Sequence, residues 1–258
     1  MKALATDALV LHVFDYSESS RIVRLATREA GVVSALARGA RRPKSRFGSA
    51  LDLFADGVAH LLIKDGRDLH TLTAFDLAHA RPALGRDLGR FTGAAAIAEL
   101  ALRFSTDDPG GALYPVLVDS LDTIAGAPDS YITTAALAGA WRLLEALGFA
   151  PALSECAGCH TPLAPGEDVL FAHQAGGAVC AKCGQRVMQT RRVPSAARAS
   201  LAAWLNGAPV PPLAATEGRA HQRLLREFVR HHLEDDRPLR AFAVWEHGAW
   251  AERAVEPA

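Results

Sequence analysis

All four cysteines of the chain sit in two Cys-x-x-Cys pairs, Cys156/Cys159 and Cys180/Cys183, with twenty residues between the pairs. A Cys-x-x-Cys turn brings two thiolates to one side of a tight loop. Two such turns complete a tetrahedral set around one metal ion at Zn–S distances of about 2.3 Å. The separation lies at the upper end of zinc-ribbon spacing, and Gly158, Gly176, Gly177, Gly184, Pro162 and Pro165 supply turns. Lys182 and Arg186 can offset part of the thiolate charge. Four sulfurs leave no open position for water, so one structural zinc ion is expected rather than a catalytic one. Metal binding worth about 10–16 kcal/mol would then fold a segment too short to bury a core of its own. A redox role needs a thioredoxin-like βαβ setting, which the flanking sequence lacks. His160 or His173 could replace a ligand, but four cysteines already suffice.

The second cluster is electrostatic. Arg38, Arg41, Arg42, Lys44 and Arg46 put five cations into nine residues, and no carboxylate lies between Glu29 and Asp52. The chain carries 28 basic and 28 acidic residues, so this local excess reads as a placed polyanion site on a neutral background. Nucleic acid is the first partner to expect. Five phosphate contacts predict a salt slope of about −4 on duplex and somewhat less on single strands. Pro43 and Gly48 shape the loop, and Phe47 is expected to offer a ring face to a base. The Asp15–Ser20 segment reads as a turn satisfied by its own hydroxyls and acids, with Tyr16 as an alternative stacking ring.

Near the end of the chain, Arg219, Arg223, Arg226 and Arg230 fall within about 60° of one another at 100° per helical residue. Leu224, Leu225 and Phe228 point the other way, toward a core. The stripe reads either as a solvated face or as a contact for an acidic ligand, DNA backbone or acidic peptide. Asp235 and Asp236 follow it and would partly screen it. No phosphate-binding glycine loop and no catalytic constellation accompanies these groups, so no enzymatic activity is expected.

Two kinds of structure must hold these residues. Strand-like alternation appears at Asp7–Phe14, Arg21–Thr27, Val32–Arg38, Val58–Lys64 and Leu69–Phe75, with Leu9, Leu11 and Val13 on one face of the first strand. Five short strands suit a small barrel, because closure removes the exposed edges. The oligonucleotide-binding (OB) fold is the leading architecture, a minimal sandwich the other. After Arg81-Pro82 the period becomes helical: Ile97, Leu100 and Phe104, then Leu137, Trp141 and Leu144 up to Gly148, then Ser195–Leu205 with Ser195 as cap, and a last helix over Glu217–His232. Asp107–Gly111 and Gly126–Asp129 read as loops. The expected fold class is α+β. Residues 1–80 form the barrel, and 81–258 form a mainly α-helical domain with the four-cysteine module inserted at 153–187. No run of 18 apolar residues exists, and Ala8–Phe14 is too short, between Asp7 and Asp15, to read as a secretion signal. A cytoplasmic, nucleoid-associated protein is the expectation, with no membrane contact.

Asp15-Tyr16-Ser17-Glu18-Ser19-Ser20, Ile22-Val23, Gly31, Gly39-Ala40-Arg41-Arg42, Lys44-Ser45 and Phe47-Gly48 together resemble the N-terminal signature of the bacterial DNA repair family RecO. The likeness is strongest over about residues 5–55 and architectural beyond. It implies an OB-fold, a helical domain with a zinc-ribbon-like element, and a non-enzymatic recombination mediator. Such a protein binds single- and double-stranded DNA, anneals complementary strands, and acts with RecR to load RecA onto strands coated by single-stranded DNA-binding protein (SSB). Carried onto this chain, the resemblance sets Arg41, Arg42 and Lys44 on the family's basic motif and the four cysteines on its metal-binding positions. The acidic tail of SSB is an implied ligand of the helical domain, for which the Arg219–Arg230 stripe is the candidate. The basic run follows the third strand, away from the usual OB surface, so DNA across the barrel's flank and a RecR contact both stay open. Two other readings compete: a transcription or scaffold factor that reads nucleic acid through the zinc ribbon, and a metal-dependent hydrolase, which would need an open zinc position.

Overall fold

A computed structural model describes residues 2–48, 50–104, 112–233 and 237–248. The loop expected at Asp107–Gly111 and the screening pair Asp235-Asp236 lie outside the described residues. Five strands, β1 (Lys2–Asp15), β2 (Arg21–Thr27), β3 (Gly31–Ala37), β4 (Asp56–Ile63) and β5 (Leu69–His79), close into a barrel in the order β1-β2-β3-β5-β4. β3 and β5 are parallel, from Ser34 opposite Leu69 to Ala37 opposite Leu72, and the remaining pairs are antiparallel. This is the OB arrangement. Small side chains make so tight a closure possible: Ala8, Val10, Val23, Ala35, Ala37, Ala59 and Leu61 fill the interior.

β1 is longer than alternation alone predicts because it serves two neighbours, β4 along Lys2–Leu9 and β2 along Ala8–Asp15. Its register shifts between Val10 and His12. A bulge adds one residue and reverses which face each later side chain takes. Leu9 and Leu11 accordingly pack outward against the helical body, while Val13 joins Val10 on the barrel side. The sequence expectation of Leu9, Leu11 and Val13 on one face is corrected on this ground.

The helical body comprises α1 (Pro82–Arg86), α2 (Leu88–Phe104), α3 (Leu113–Gly126) and α4 (Ile132–Ala146), then a small three-stranded sheet and α5 to α8. The sheet orders β7 (Gly177–Val179), β6 (Val169–Ala172) and β8 (Arg191–Val193), with α5 (Ala181–Gly184) between β7 and β8. The chain then runs through α6 (Ser195–Leu205), α7 (Ala215–His232) and α8 (Arg240–His247). Alanine-rich faces let the helices approach closely. A Cβ added at Gly139 of α4 would sit 2.8 Å from the Ser120 Cβ and 2.9 Å from the Ile97 Cδ1, so no larger residue fits that three-helix contact. Ser195 is the first residue of α6 rather than its side-chain cap: the Asp168 carboxylate accepts the Ser195 N–H at 2.9 Å. No helix among the described residues is long and apolar enough to cross a membrane.

Arg81 joins barrel to helices. Its side chain is 1% exposed and donates to Asp56 of β4 at 2.5 Å, to Asp122 of α3 at 2.6 Å and to the Phe54 carbonyl at 2.7 Å. A buried guanidinium with three acceptors is held in one geometry, so the barrel has a fixed orientation on the body. Phe54 meets Phe91 edge-on at 6.0 Å beside it.

His221 on α7 is 3% exposed, with its ring 4.8 Å from that of Trp204 on α6. Burial lowers its pKa from the ordinary 6.5 to about 4, against an upward pull from Glu217. Below pH 6.5 the unfolded chain takes a proton that the folded one refuses, so stability present above that pH drains away as pH falls toward 4. A loss of about 2 kcal/mol by pH 5 is expected from this group. Urea unfolding at pH 7 and 5 should reveal that difference, and His221→Leu should shrink it.

Candidate nucleic-acid interface and metal centre

β3 has β2 and β5 as its neighbours, so the chain cannot turn directly from β3 into β4 and must cross the barrel. Residues 38–48 and 50–55 make that crossing, and the basic run is its first half. Successive turns wind it: Arg42 N–H donates to Gly39 O at 3.1 Å, Ser45 N–H to Arg42 O at 2.9 Å, and Ala50 N–H to Phe47 O at 2.8 Å. Phe47 and Leu51, each 2% exposed, drop into the barrel core and pin the crossing. The expected stacking role of Phe47 is therefore corrected, because its ring plugs the barrel and has no free face for a base. Alternation along a strand could not reveal this, since the burial belongs to a loop.

Arg38, Arg41, Arg42, Lys44 and Arg46 are all exposed. Arg41 has an acidic partner despite the sequence gap: its Nε lies 3.3 Å from Asp15, and it donates to the Ser17 carbonyl at 3.0 Å. Its backbone N–H also donates to Ser19 O at 3.1 Å. These bonds lay the crossing against the β1–β2 connection, so the cations stand beside the first inter-strand loop. Arg38, Arg42, Lys44 and Arg46 form no ion pair among the described residues. Arg46 lies over the buried Phe47 ring at 5.1 Å.

The four cysteines converge. Their sulfurs all lie within 4.8 Å of one another, and Cys159 Sγ is 3.8 Å from Cys180 Sγ. A tetrahedron of sulfurs about 2.3 Å from a central ion has edges of about 3.8 Å, whereas a disulfide needs about 2.05 Å. The set can hold one metal ion. Burial raises the Cys156 thiol, but N–H groups of Cys180, Gly158 and Cys159 overcome it and bring its pKa to about 6. Hydrogen bonds to Cys159, Cys180 and Cys156 push the Cys183 thiol up to about 12. Thiolates this close repel one another unless a cation stands between them, so a bound metal ion favours their ionised form. His160 points instead to Glu155 at 3.1 Å and His173 to Glu227 at 3.1 Å, so neither joins the set.

The module is less self-sufficient than its length suggests. Phe171 of β6 is fully buried and meets Phe228 of α7 at 6.1 Å, with Val169, Ala178 and Val193 in the same core. Glu227 of α7 takes Arg191 of β8 and His173 together. Arg198 of α6 donates to the carbonyls of Leu153, Leu163, Ala164 and Glu167 at 2.8–3.3 Å. Sequence reasoning missed Arg81, Arg198 and Glu227. Each acts through partners remote in the chain and leaves no local pattern.

On α7, Arg219, Arg223 and Arg230 are exposed, while Arg226 is tied to Glu246 of α8 at 2.7 Å. Leu224, Leu225 and Phe228 fill the core side, at 3%, 0% and 1% exposed. Arg226 and Arg230 border a groove of about 290 Å³ whose wall includes Leu233, Leu239, Phe242 and His247. The helix α8 that forms its far side was absent from the sequence expectation. It is short and carries only Phe242 and Trp245 as buried residues.

Two family models cover the chain: "Recombination protein O N terminal" over residues 1–81 and "Recombination protein O C terminal" over residues 85–241. The chain belongs to the RecO family. A relative named DNA repair protein RecO from Anaeromyxobacter sp. (strain K) is 38% identical over 239 residues, covering 90% of this chain and 92% of the relative. The Myxococcus xanthus (strain DK1622) protein of that name is 36% identical over 240 residues, 90% of this chain and 93% of its own. That of Nocardioides sp. (strain ATCC BAA-499 / JS614) is 34% identical over 254 residues, 93% and 98%. RecO membership places this chain in DNA repair and recombination.

Proposed function

We propose that this RecO-family protein is a non-enzymatic mediator that grips DNA by its phosphates and anneals complementary strands. The observation that carries the reading is the set Arg38, Arg42, Lys44 and Arg46, exposed on a pinned crossing of the barrel and without ion pairs among the described residues. Arg41 contributes its charge while holding the crossing to the β1–β2 connection. Cations on a rigid platform screen the repulsion that keeps two strands apart, and base pairing then supplies the sequence readout. On this reading the barrel, residues 1–80, is the DNA-gripping unit. Residues 81–258 carry it, with the four-cysteine module at 153–187 holding one structural zinc ion.

The same reading has the protein act with RecR in loading RecA onto SSB-coated single strands, in the cytoplasm at the nucleoid. Arg219, Arg223, Arg226 and Arg230 are the proposed contact for SSB's acidic tail. The groove beside Arg230, with Leu233, Leu239 and Phe242 in its wall, supports that assignment, since an acidic peptide needs both charge and a place for its apolar side chains; Glu246 also lines it and holds Arg226, so Arg226 would have to exchange that partner for the peptide. Docking of the zinc module into the helical core through Phe171 favours a structural role over a ribbon that reads nucleic acid. The test is a strand-annealing assay on complementary oligonucleotides, bare and SSB-coated, at low salt. Acceleration in both cases is expected; no acceleration of bare strands would refute the annealing function.

A further inference from the structure

The four cysteines are not equivalent toward solvent. Cys159 is exposed, Cys180 and Cys183 are half-buried, and Cys156 is fully buried. Cys156 packs against Ala172 and Val179, and its sulfur accepts the Cys180 N–H at 3.3 Å. Cys159 stands at the open side of the set, with the Thr161 hydroxyl 3.3 Å from its sulfur and Cys180 Sγ at 3.8 Å. Cys159 and Cys180 belong to different Cys-x-x-Cys turns, so a bond between them would join the two turns. Their sulfurs need to close by only about 1.8 Å to reach disulfide length.

We propose that this centre is a peroxide-sensitive redox switch, in which oxidation joins Cys159 to Cys180 with loss of the metal ion and reduction restores the four-sulfur set. The inference rests on the zinc reading above and adds a chemistry to the same residues. The Cys159 thiolate, the one in reach of solvent, attacks an oxygen of hydrogen peroxide. The O–O bond breaks, hydroxide leaves and a sulfenic acid forms. The Cys180 thiolate then attacks that sulfur, the S–S bond forms and a second hydroxide leaves. Two thiolates have given two electrons to the peroxide, and two protons convert the hydroxides to water. The two remaining thiolates do not make the tetrahedral set that a structural zinc ion requires. Burial keeps Cys156 from the oxidant. A resolving sulfur 3.8 Å away stops the reaction at the disulfide, short of the irreversible sulfinic acid. The change is local, because Phe171 against Phe228 and Arg191 on Glu227 hold the far side of the module to α7. The cysteine turns therefore stay placed to take the ion back once the disulfide is reduced.

The full-length protein, purified under reducing conditions with zinc, is freed of reductant, treated with hydrogen peroxide in small molar excess, then alkylated in denaturant and digested. One zinc ion per chain should pass to a colorimetric reporter. Mass spectrometry should find Cys159 joined to Cys180, with Cys156 and Cys183 alkylated. Dithiothreitol followed by added zinc should return the metal content to one ion per chain. A disulfide joining any other pair, zinc retained after peroxide, or zinc not regained after reduction would overturn the switch. Less than one zinc ion per chain before treatment would overturn the zinc reading instead. Cys180→Ser removes the resolving sulfur and should let Cys159 proceed to sulfinic acid. A reversible Cys159 disulfide in that variant would contradict the proposed pairing.

Discussion

Replacing Arg38, Arg42, Lys44 and Arg46 together by glutamate is expected to weaken DNA binding about a hundredfold or more at low salt. The reason is counterion release. Each neutralised phosphate contributes about −0.9 to the slope of log K against log salt on duplex and about −0.7 on single strands. Losing four contacts should flatten the duplex slope by about 3.6. Stability should hardly change, because the four side chains are exposed and form no ion pairs among the described residues, while Phe47, Leu51 and Arg41 still anchor the crossing. Anisotropy titrations over a salt series measure both quantities. An unchanged slope combined with lost RecR binding would reassign the run to the protein partner.

Metal removal should have the second large effect. Structural zinc sites of this kind contribute about 10–16 kcal/mol of binding free energy at neutral pH, much of it as folding energy. Cys156 is fully buried and accepts N–H from Cys180 at 3.3 Å, so the two turns hold each other through sulfur. A chelator should strip one equivalent of zinc and Cys156→Ser should purify with less than one, as metal analysis would show, and either should open residues 153–187 to protease. The opening should begin at the cysteine end, because Phe171, Arg191 and Arg198 tie the opposite side of the module to α6 and α7. Barrel binding to DNA should survive. A chelated protein as protease-resistant as the untreated one would refute the structural role of the metal.

Local periodicity made much of this fold legible. β2 runs over Arg21–Thr27 and α6 over Ser195–Leu205, as the sequence predicts, because both carry unbroken patterns ended by turn residues. The cysteine set was legible for a related reason: spacing within a Cys-x-x-Cys turn is itself geometry. Residues whose environment is set from afar were not legible. Phe47 lies in a cationic loop yet is buried, since the barrel's strand order forces that loop across its core. The bulge after Val10 reversed the faces of β1 with no glycine or proline to announce it. Arg41 has a carboxylate partner 26 positions upstream, Asp15, which a scan for neighbouring acids passes over. α8 follows Pro238 with too few turns for its period to stand out.

The most direct test of the central claim is hydrogen exchange on the full-length protein with and without a saturating single-stranded oligonucleotide. Protection should concentrate in residues 38–48 and in the adjoining 15–20 connection. Protection confined to residues 219–230 or to the cysteine module, with the crossing unaffected, would contradict the account.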